Sequence, residues 1–547
     1  MSGSSRKRVL VIGVDSVPLD LILPWATSGH LPNFAKIFSR GAYGDLYSRI
    51  PVTPVAWSSI YTGKNPGKHG IIGFRNHKPN TYEEVGVNST VRDARDVWEI
   101  AGSHGKKVIV VNTPLTYPAR PVNGYLVCGF MAPGVDYQFT YPESLGAEIK
   151  RAVPDYRIGT APSYIKGLYL KELHKTVQMV GEAAVHLMRK TDWDLAFVVF
   201  KETDEVQHSF YDRLGSVLGL YRRVDKFVGE FMKEAGDDAY VFVVSDHGGE
   251  PIDKRFNVAE FLRRTGLIRL RSGGQKRSSS ALQIVASVVF NGNMQWMLDI
   301  PGTRRMMGAV MKARYRSKSK AGGGDEGFYA GQVDWEKTTA FISSGIGLRI
   351  NVKGREPNGL VDQSDYESVR ARVAKEFGDL EDPENGHKVF RYAEPKEKVL
   401  SGRHIDIAPD VLCLPNTGYL PTEALASFDP LAVAAAHRSL FSRSTLWCGT
   451  HSPYGILAMA GPGIVRTKIT GATLDDVAPN ILYALGLPVP DDMDGKVLKE
   501  AFDQSHLAAN PVATEAAEKV KDVRTRELSK EEEEIVEERL KALGYLS

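Results

Sequence analysis

The chain has 547 residues, with 69 Lys/Arg against 66 Asp/Glu, 42% apolar residues and 25% charged ones. That balance excludes a disordered or fibrous protein and leaves an ordinary globular one. Length alone gives about three to four domains, and one large α/β core with insertions is the organisation expected. Three cysteines, Cys128, Cys413 and Cys448, exclude a disulfide framework and match no zinc motif.

The chain runs early into the apolar stretch Val9–Val14, too short for the apolar region of a signal peptide. The longest apolar stretch elsewhere, Ala281–Phe290, is broken by Gln283 and Ser287 and falls short of a membrane span. A soluble protein of the reducing cytoplasm is expected. Val9–Val14, Val108–Val111, Ala196–Phe200 and Val241–Val244 are short, β-branched and apolar, as strands buried on both faces of a parallel sheet are. Helical stretches such as Leu170–Arg189 and Val217–Glu234 lie between them. The alternation predicts an α/β fold, a doubly wound sandwich with a mostly parallel central sheet. Reactive groups in such sheets gather beyond the carboxyl ends of the strands.

Residues 251–399 interrupt the pattern and are read as an inserted cap, with flexible segments at Ser272–Ser280 and Ala321–Asp325. From Arg263 to Lys320 thirteen Lys/Arg face Asp299 alone, a charge of +12 that leaves −9 for the rest of the chain. Such a block is by default a solvated surface; the alternative is a patch for an anionic substrate, a nucleic acid or an anionic membrane. Residues 8–250 and 400–505 are then the discontinuous core. Residues 506–547 form an Ala/Glu/Lys-rich helical tail, expected to be exposed and without chemistry.

The chemistry sits where strands end. Asp15 closes the first apolar run, where a carboxylate is costly unless it pairs or binds a metal. Thr53 precedes Pro54 and reads as the N-cap of a helix with Pro54 at its first position. A hydroxyl there lies at the positive end of the helix, and coordination to a metal would activate it as a nucleophile. Ser58 and Ser59, inside the same helix, are expected to pack. Past the run ending at Phe200 come Asp204 and His208, four apart and on one face if that segment is helical. Asp246 and His247 follow Val244, with Gly248 and Gly249 read as the turn that lets both reach one site. His451 lies in a turn-rich stretch. Three carboxylates and three histidines suffice for two three-ligand sites, each with a position left for substrate.

Taken in order, Asp15, Thr53, Asp204-x-x-x-His208, Asp246-His247 and His451 resemble the alkaline phosphatase superfamily, closest to its type I phosphodiesterase/nucleotide pyrophosphatase branch and the related phosphohydrolases and phosphomutases. Arg8–Asp15, Thr53–Trp57, Thr62–Gly70 and Ala478–Gly486 resemble that branch as well. The likeness covers roughly 8–250 and 400–500 and is weak over the cap. It implies an alkaline-phosphatase-like sandwich holding two divalent ions, zinc or manganese, about 4 Å apart. By that likeness Asp204, His208 and His451 hold one ion, and Asp15, Asp246, His247 and the Thr53 oxygen hold the other. It further implies hydrolysis of a small anionic phosphoester, a diester above all, through a covalent phosphothreonine at Thr53. Three carboxylates would leave two such ions near +1, suited to an anionic phosphoryl group. A phosphomutase using the same phospho-enzyme and a non-catalytic binding protein on this fold are the alternatives. The branch usually carries Asn three residues after its nucleophile; Ala56 stands here, so nucleotide specificity does not carry over. Sulfatases need Cys or Ser with a nearby Pro and Arg, and Thr53–Trp57 offers no Arg.

Overall fold

The computed structural model describes residues 7–161, 163, 165–271, 333–345, 347–422, 439–443, 447–518, 528–543 and 545. Eleven strands matter for the site: β1 (Val9–Val14), β2 (Ala42–Tyr47), β3 (Val108–Thr113), β4 (Gly124–Cys128), β5 (Thr140–Tyr141), β6 (Leu195–Phe200), β7 (Tyr240–Val244), β8 (Gly248–Asn257), β9 (Gly449–Ser452), β10 (Tyr454–Ala460) and β11 (Lys468–Thr473). Five helices accompany them: α1 (Thr53–Thr62), α2 (Lys166–Lys190), α3 (Glu202–Phe210), α4 (Leu214–Ala235) and α5 (Lys530–Ala542).

The apolar runs become the centre of a nine-stranded sheet, ordered β11-β2-β10-β7-β1-β6-β3-β4-β5. Every residue of β1, β3, β6 and β7 is buried, as continuous apolar strands require when both faces are covered. Five neighbouring pairs are parallel; β10 runs antiparallel to β2 and β7, and β5 antiparallel to β4. The fold is therefore α/β with a mostly parallel central sheet.

Register carries the consequence for function. Val14 pairs with Phe200 and Gly13 with Val244, so β1, β6 and β7 end almost level. Whatever follows those three strands must share one patch of the sheet edge. A second apolar core, built from residues between Phe256 and Tyr419, lies under a smaller antiparallel sheet. Its strands are ordered Ala340–Ser343, Gly347–Ile350, Val411–Pro415 and Phe390–Pro395. The expected flexible segments at 272–280 and 321–325, and most of the basic block, lie outside the described residues. Of that block, Arg263 and Arg264 both pair with Glu260 at 2.7 and 2.8 Å. Among the described residues no helix is long and apolar enough to cross a membrane.

The C-terminal helix departs from expectation. It was expected to be exposed, but Val536 and Leu540 on α5, and Leu543 just past it, are buried in the main core. Their spacing of four and three residues is the apolar stripe of a helix that docks.

Gly13 shows how tightly the sheet meets its cover. A Cβ there would lie 2.5 Å from Cη2 of Trp57 and 2.8 Å from Cγ2 of Val199. Overpacking of this kind costs about 1–3 kcal/mol. Gly13→Ala should therefore lower the denaturant midpoint by a corresponding amount; an unchanged midpoint would mean that Trp57 has room to move.

Candidate active site

The level strand ends deliver the carboxylates. Asp15 follows β1 directly. Asp204 and His208 follow β6 in α3, one turn apart on one face, and both are buried. Asp246 and His247 follow β7. His451 arrives differently from the turn expected for it: it lies in β9, paired antiparallel with β8, where Gly249 stands opposite it. Gly248 and Gly249 are likewise strand residues, not a turn. They are needed for closeness: a Cβ on Gly248 would meet Tyr454 O at 2.3 Å, and one on Gly249 would meet Gln207 Oε1 at 2.3 Å.

All three histidines are oriented alike. His208 Nδ1 lies 2.7 Å from Gly449 O, His451 Nδ1 2.7 Å from Pro51 O, and His247 Nδ1 3.2 Å from Gly248 O. A carbonyl only accepts, so each Nδ1 carries the hydrogen and each Nε2 is left to face the site. His208 Nε2 and His451 Nε2 are 2.9 Å apart, and Asp204 Oδ1 lies 3.1 and 3.2 Å from them. Three lone-pair atoms this close repel one another unless a proton or a cation sits among them. The edges suit one ion with bonds of about 2.0–2.2 Å.

A second group adjoins the first. Asp15, Asp204 and His247 present donor atoms within 4.8 Å of one another, so Asp204 stands between the two groups. Asp246 Oδ2 is 3.2 Å and Asp15 Oδ1 3.8 Å from His247 Nε2. Among the described residues Asp15 Oδ1, Thr53 Oγ1, Asp204 Oδ1, Asp246 Oδ2 and His247 Nε2 are all buried without a hydrogen-bond partner. Unsatisfied buried polar atoms are rare, and the four from Asp15, Asp204, Asp246 and His247 lie together as a donor set that fits divalent metal.

The electrostatics agree. Burial pushes the Asp15 carboxyl up to about 7 and Asp246 well above the carboxylate range, with Asp204 adding repulsion to both. Burial also drives His247 well below the usual imidazole value. It opposes the charge of Asp204 too, but His208 and Lys201 beside it hold that carboxyl well below its ordinary value.

Thr53 is not an N-cap. Val52 takes that place, Thr53 is the first residue of α1 and Pro54 the second, and the helix has no side-chain cap. The Thr53 hydroxyl is thus buried and unspent, while Ser58 Oγ donates to Pro54 O at 2.6 Å and Ser59 Oγ meets His69 Nε2 at 3.1 Å. Contacts at either side tie the start of α1 to the site: Trp57 Nε1 donates to Asp15 Oδ2 at 2.8 Å, and Pro51 O receives His451.

Sequence reasoning missed the side chains that hold these groups in place. Trp57 carries no signal beyond the Thr53–Trp57 resemblance. Lys201 follows β6 directly, and position past a buried strand could have flagged it as it flagged Asp15. Tyr545 lies 341 residues from Asp204, to which its hydroxyl donates.

A mostly parallel sheet with carboxylates and imidazoles at the carboxyl ends of its central strands defines a hydrolase of the alkaline-phosphatase-like class. The family model for type I phosphodiesterase/nucleotide pyrophosphatase matches residues 9–302. The chain belongs to that family and is a phosphoric ester hydrolase by class. Among solved structures it is similar to phosphonoacetate hydrolase from Sinorhizobium meliloti 1021 in complex with phosphonoformate, at a TM-score of 0.53 and 15% identity, over 88% of this chain and 95% of that one. It is also similar to human ectonucleotide pyrophosphatase/phosphodiesterase 5, at a TM-score of 0.50 and 10% identity, over 91% of this chain and 100% of that one. No curated protein matches the chain.

Cation binding has to displace the protons that burial keeps on Asp15 and Asp246. Affinity for Mn²⁺ or Zn²⁺ should therefore rise between pH 5.5 and 7, by roughly tenfold per pH unit for each proton displaced, and rise less steeply once Asp15 ionises near 7. Calorimetry in buffers of different ionisation enthalpy would count those protons. Metal affinity that is flat across this window would contradict the assignment.

Proposed function

We propose that the chain hydrolyses phosphoric esters, phosphodiesters above all, by passing the phosphoryl group through Thr53. The observation that carries the reading is the pair of adjoining donor groups, Asp204–His208–His451 and Asp15–Asp204–His247, with buried atoms that have no hydrogen-bond partner. Two divalent cations, zinc or manganese, held by Asp204, His208 and His451 and by Asp15, Asp246, His247 and the Thr53 oxygen, would supply Lewis-acid charge to the hydroxyl and to the phosphoryl oxygens.

Thr53 Oγ attacks phosphorus, the Oγ–P bond forms, the bond to the leaving oxygen breaks, and the threonine proton passes by way of solvent to that oxygen, which departs as the alcohol. Water then cleaves the phosphothreonine and restores the hydroxyl. Trp57 holds Asp15 by one oxygen, and the backbone carbonyls hold the histidines, so these groups need little rearrangement when substrate arrives. Nucleotides are not singled out as substrates, because Ala56 brings no side-chain donor to the phosphoryl group. Residues 251–399 are read as the cap over this core. The three unpaired cysteines suit the cytoplasm. A small anionic phosphoester is the partner this site favours, ahead of a nucleic acid or an anionic membrane at 263–320.

Thr53 is the place to test it. With bis-p-nitrophenyl phosphate, Thr53→Ala should lose roughly three orders of magnitude or more in kcat while the protein stays folded, and Thr53→Ser should retain measurable turnover. Acid quenching of the wild-type reaction should leave the phosphoryl group on the peptide that contains residue 53. Near wild-type kcat in Thr53→Ala would remove the covalent step.

A further inference from the structure

The C-terminal tail reaches the candidate cation site and holds one of its carboxylates. Helix α5 starts from a capping box formed by Ser529 and Glu532. It is fastened by polar contacts as well as by its apolar stripe. Tyr117 donates to Glu532, Arg75 pairs with Glu537 at 2.6 Å, and Arg539 donates to Ala132 O at 2.9 Å and Pro133 O at 3.3 Å. Beyond the helix, the Tyr545 N–H donates to Leu540 O at 2.9 Å and the chain folds back. The centre of the Tyr545 ring then lies 5.3 Å from that of Phe74, 5.5 Å from that of Phe130 and 5.7 Å from that of His208, the Tyr545 and His208 rings being nearly perpendicular to each other.

The two oxygens of Asp204 are used differently. Oδ1 faces His208 Nε2 and His451 Nε2 at 3.1 and 3.2 Å. Oδ2 accepts from the Tyr545 hydroxyl and from Lys201 Nζ. Lys201 Nζ also donates to the Tyr545 oxygen at 2.6 Å, which closes a three-membered ring of hydrogen bonds. The ammonium lies 4.8 Å from the centre of the Tyr545 ring and 4.9 Å from that of Phe130, so the tail positions Lys201 as well.

We propose that Tyr545, acting with Lys201, is a positioning residue that locks Asp204 so that Oδ1 alone is offered to a cation shared with His208 and His451, and that the tail thereby sets the affinity of that group. The inference rests on the cation-binding reading above. Its logic is that of the histidines, each of which is turned toward the site by a carbonyl on its far nitrogen. Asp204 has the same kind of support, but part of it comes from the end of the chain. The other carboxylates are held without the tail: Asp15 Oδ2 by Trp57 and Asp246 Oδ1 by the Ser16 N–H at 3.3 Å. The effect of the tail should therefore fall on the His208–His451 group. Loss of a hydrogen-bond partner behind a metal ligand costs about 10–100-fold in affinity.

The test is a Mn²⁺ titration against a chromophoric chelator, with wild type, Tyr545→Phe, a chain ending at residue 543, and His208→Ala. Wild type should bind two equivalents, and His208→Ala should lose one of them. Tyr545→Phe, which keeps the ring packed on Phe74 and Phe130, should weaken that same equivalent about 10–100-fold and weaken the other, which Asp204 only adjoins, distinctly less. Saturating Mn²⁺ should return its turnover toward wild type. The shortened chain should weaken the same equivalent at least as much. Wild-type affinity at both sites in Tyr545→Phe and in the shortened chain would overturn the role of the tail and leave the proposed function standing. A wild type that takes up neither Mn²⁺ nor Zn²⁺ would overturn both.

Discussion

Three carboxylates are buried side by side at the ends of strands that the sheet holds in register, and the site is built around that fact. Asp15, Asp204 and Asp246 are all fully buried, and Lys201 is the cation that lies directly on one of them. An isolated buried carboxylate is expensive, and the protein meets that expense in three ways. Asp204 is paired with a lysine. Asp15 and Asp246 have their carboxyl pKa pushed upward by burial. One oxygen of each carboxylate is kept free of any hydrogen bond among the described residues. The first two devices serve stability, while the third leaves carboxylate oxygens that could hold a metal ion.

The β1–β6–β7 register explains why the arrangement is affordable at all. Three parallel strands with every residue buried form a rigid floor, and the residues just past their ends cannot drift apart without breaking the ladder. His451 is brought in from the far side of the sequence by pairing with β8, a strand that starts immediately after His247. The close approach of Gly248 and Gly249 to their neighbours is what that pairing costs in side-chain freedom. Helix α1 completes the enclosure because Gly13 has no side chain to keep Trp57 away from Asp15.

Much of this was legible in the sequence because it is local. Short β-branched runs ending in Asp or Lys-Glu-Thr-Asp announce buried parallel strands and place the chemistry at their carboxyl ends. The four-residue spacing of Asp204 and His208 could be read as one face of a helix, and α3 has that form. Where reading failed, the cause was pairing across long separations. Gly248-Gly249 looked like a turn because glycines usually are one; only the partner strand β9 reveals that they are strand residues pressed against other atoms. Thr53 before Pro54 looked like a cap because the residue types fit, yet Val52 caps the helix by backbone geometry alone. The tail was dismissed on its charge, although Val536, Leu540 and Leu543 already spelled a docking stripe. No local pattern says that the residue two beyond Leu543 will touch Asp204.

The supports of the site are all groups of the chain itself: the carbonyls behind the histidines, the indole behind Asp15, and the lysine and tyrosine behind Asp204. A small zinc-dependent domain folds only as its metal binds, because its ligands have nothing else to hold them. Here a large apolar core supplies the folding energy, and hydrogen bonds from the chain fix how the candidate donor atoms point. Preorganisation of this kind lowers the cost of assembling the charged site, since the side chains have already surrendered their rotamers. It also means that the weakest support determines where the site loosens first. Asp15 leans on a tryptophan sealed in the core, and the histidines lean on strand and loop backbone. Asp204 alone shares its support with the last residues of the chain, attached by one helix whose outer face is largely Glu and Lys. Through Tyr545, the docking of that helix is coupled to the carboxylate that stands between the two donor groups.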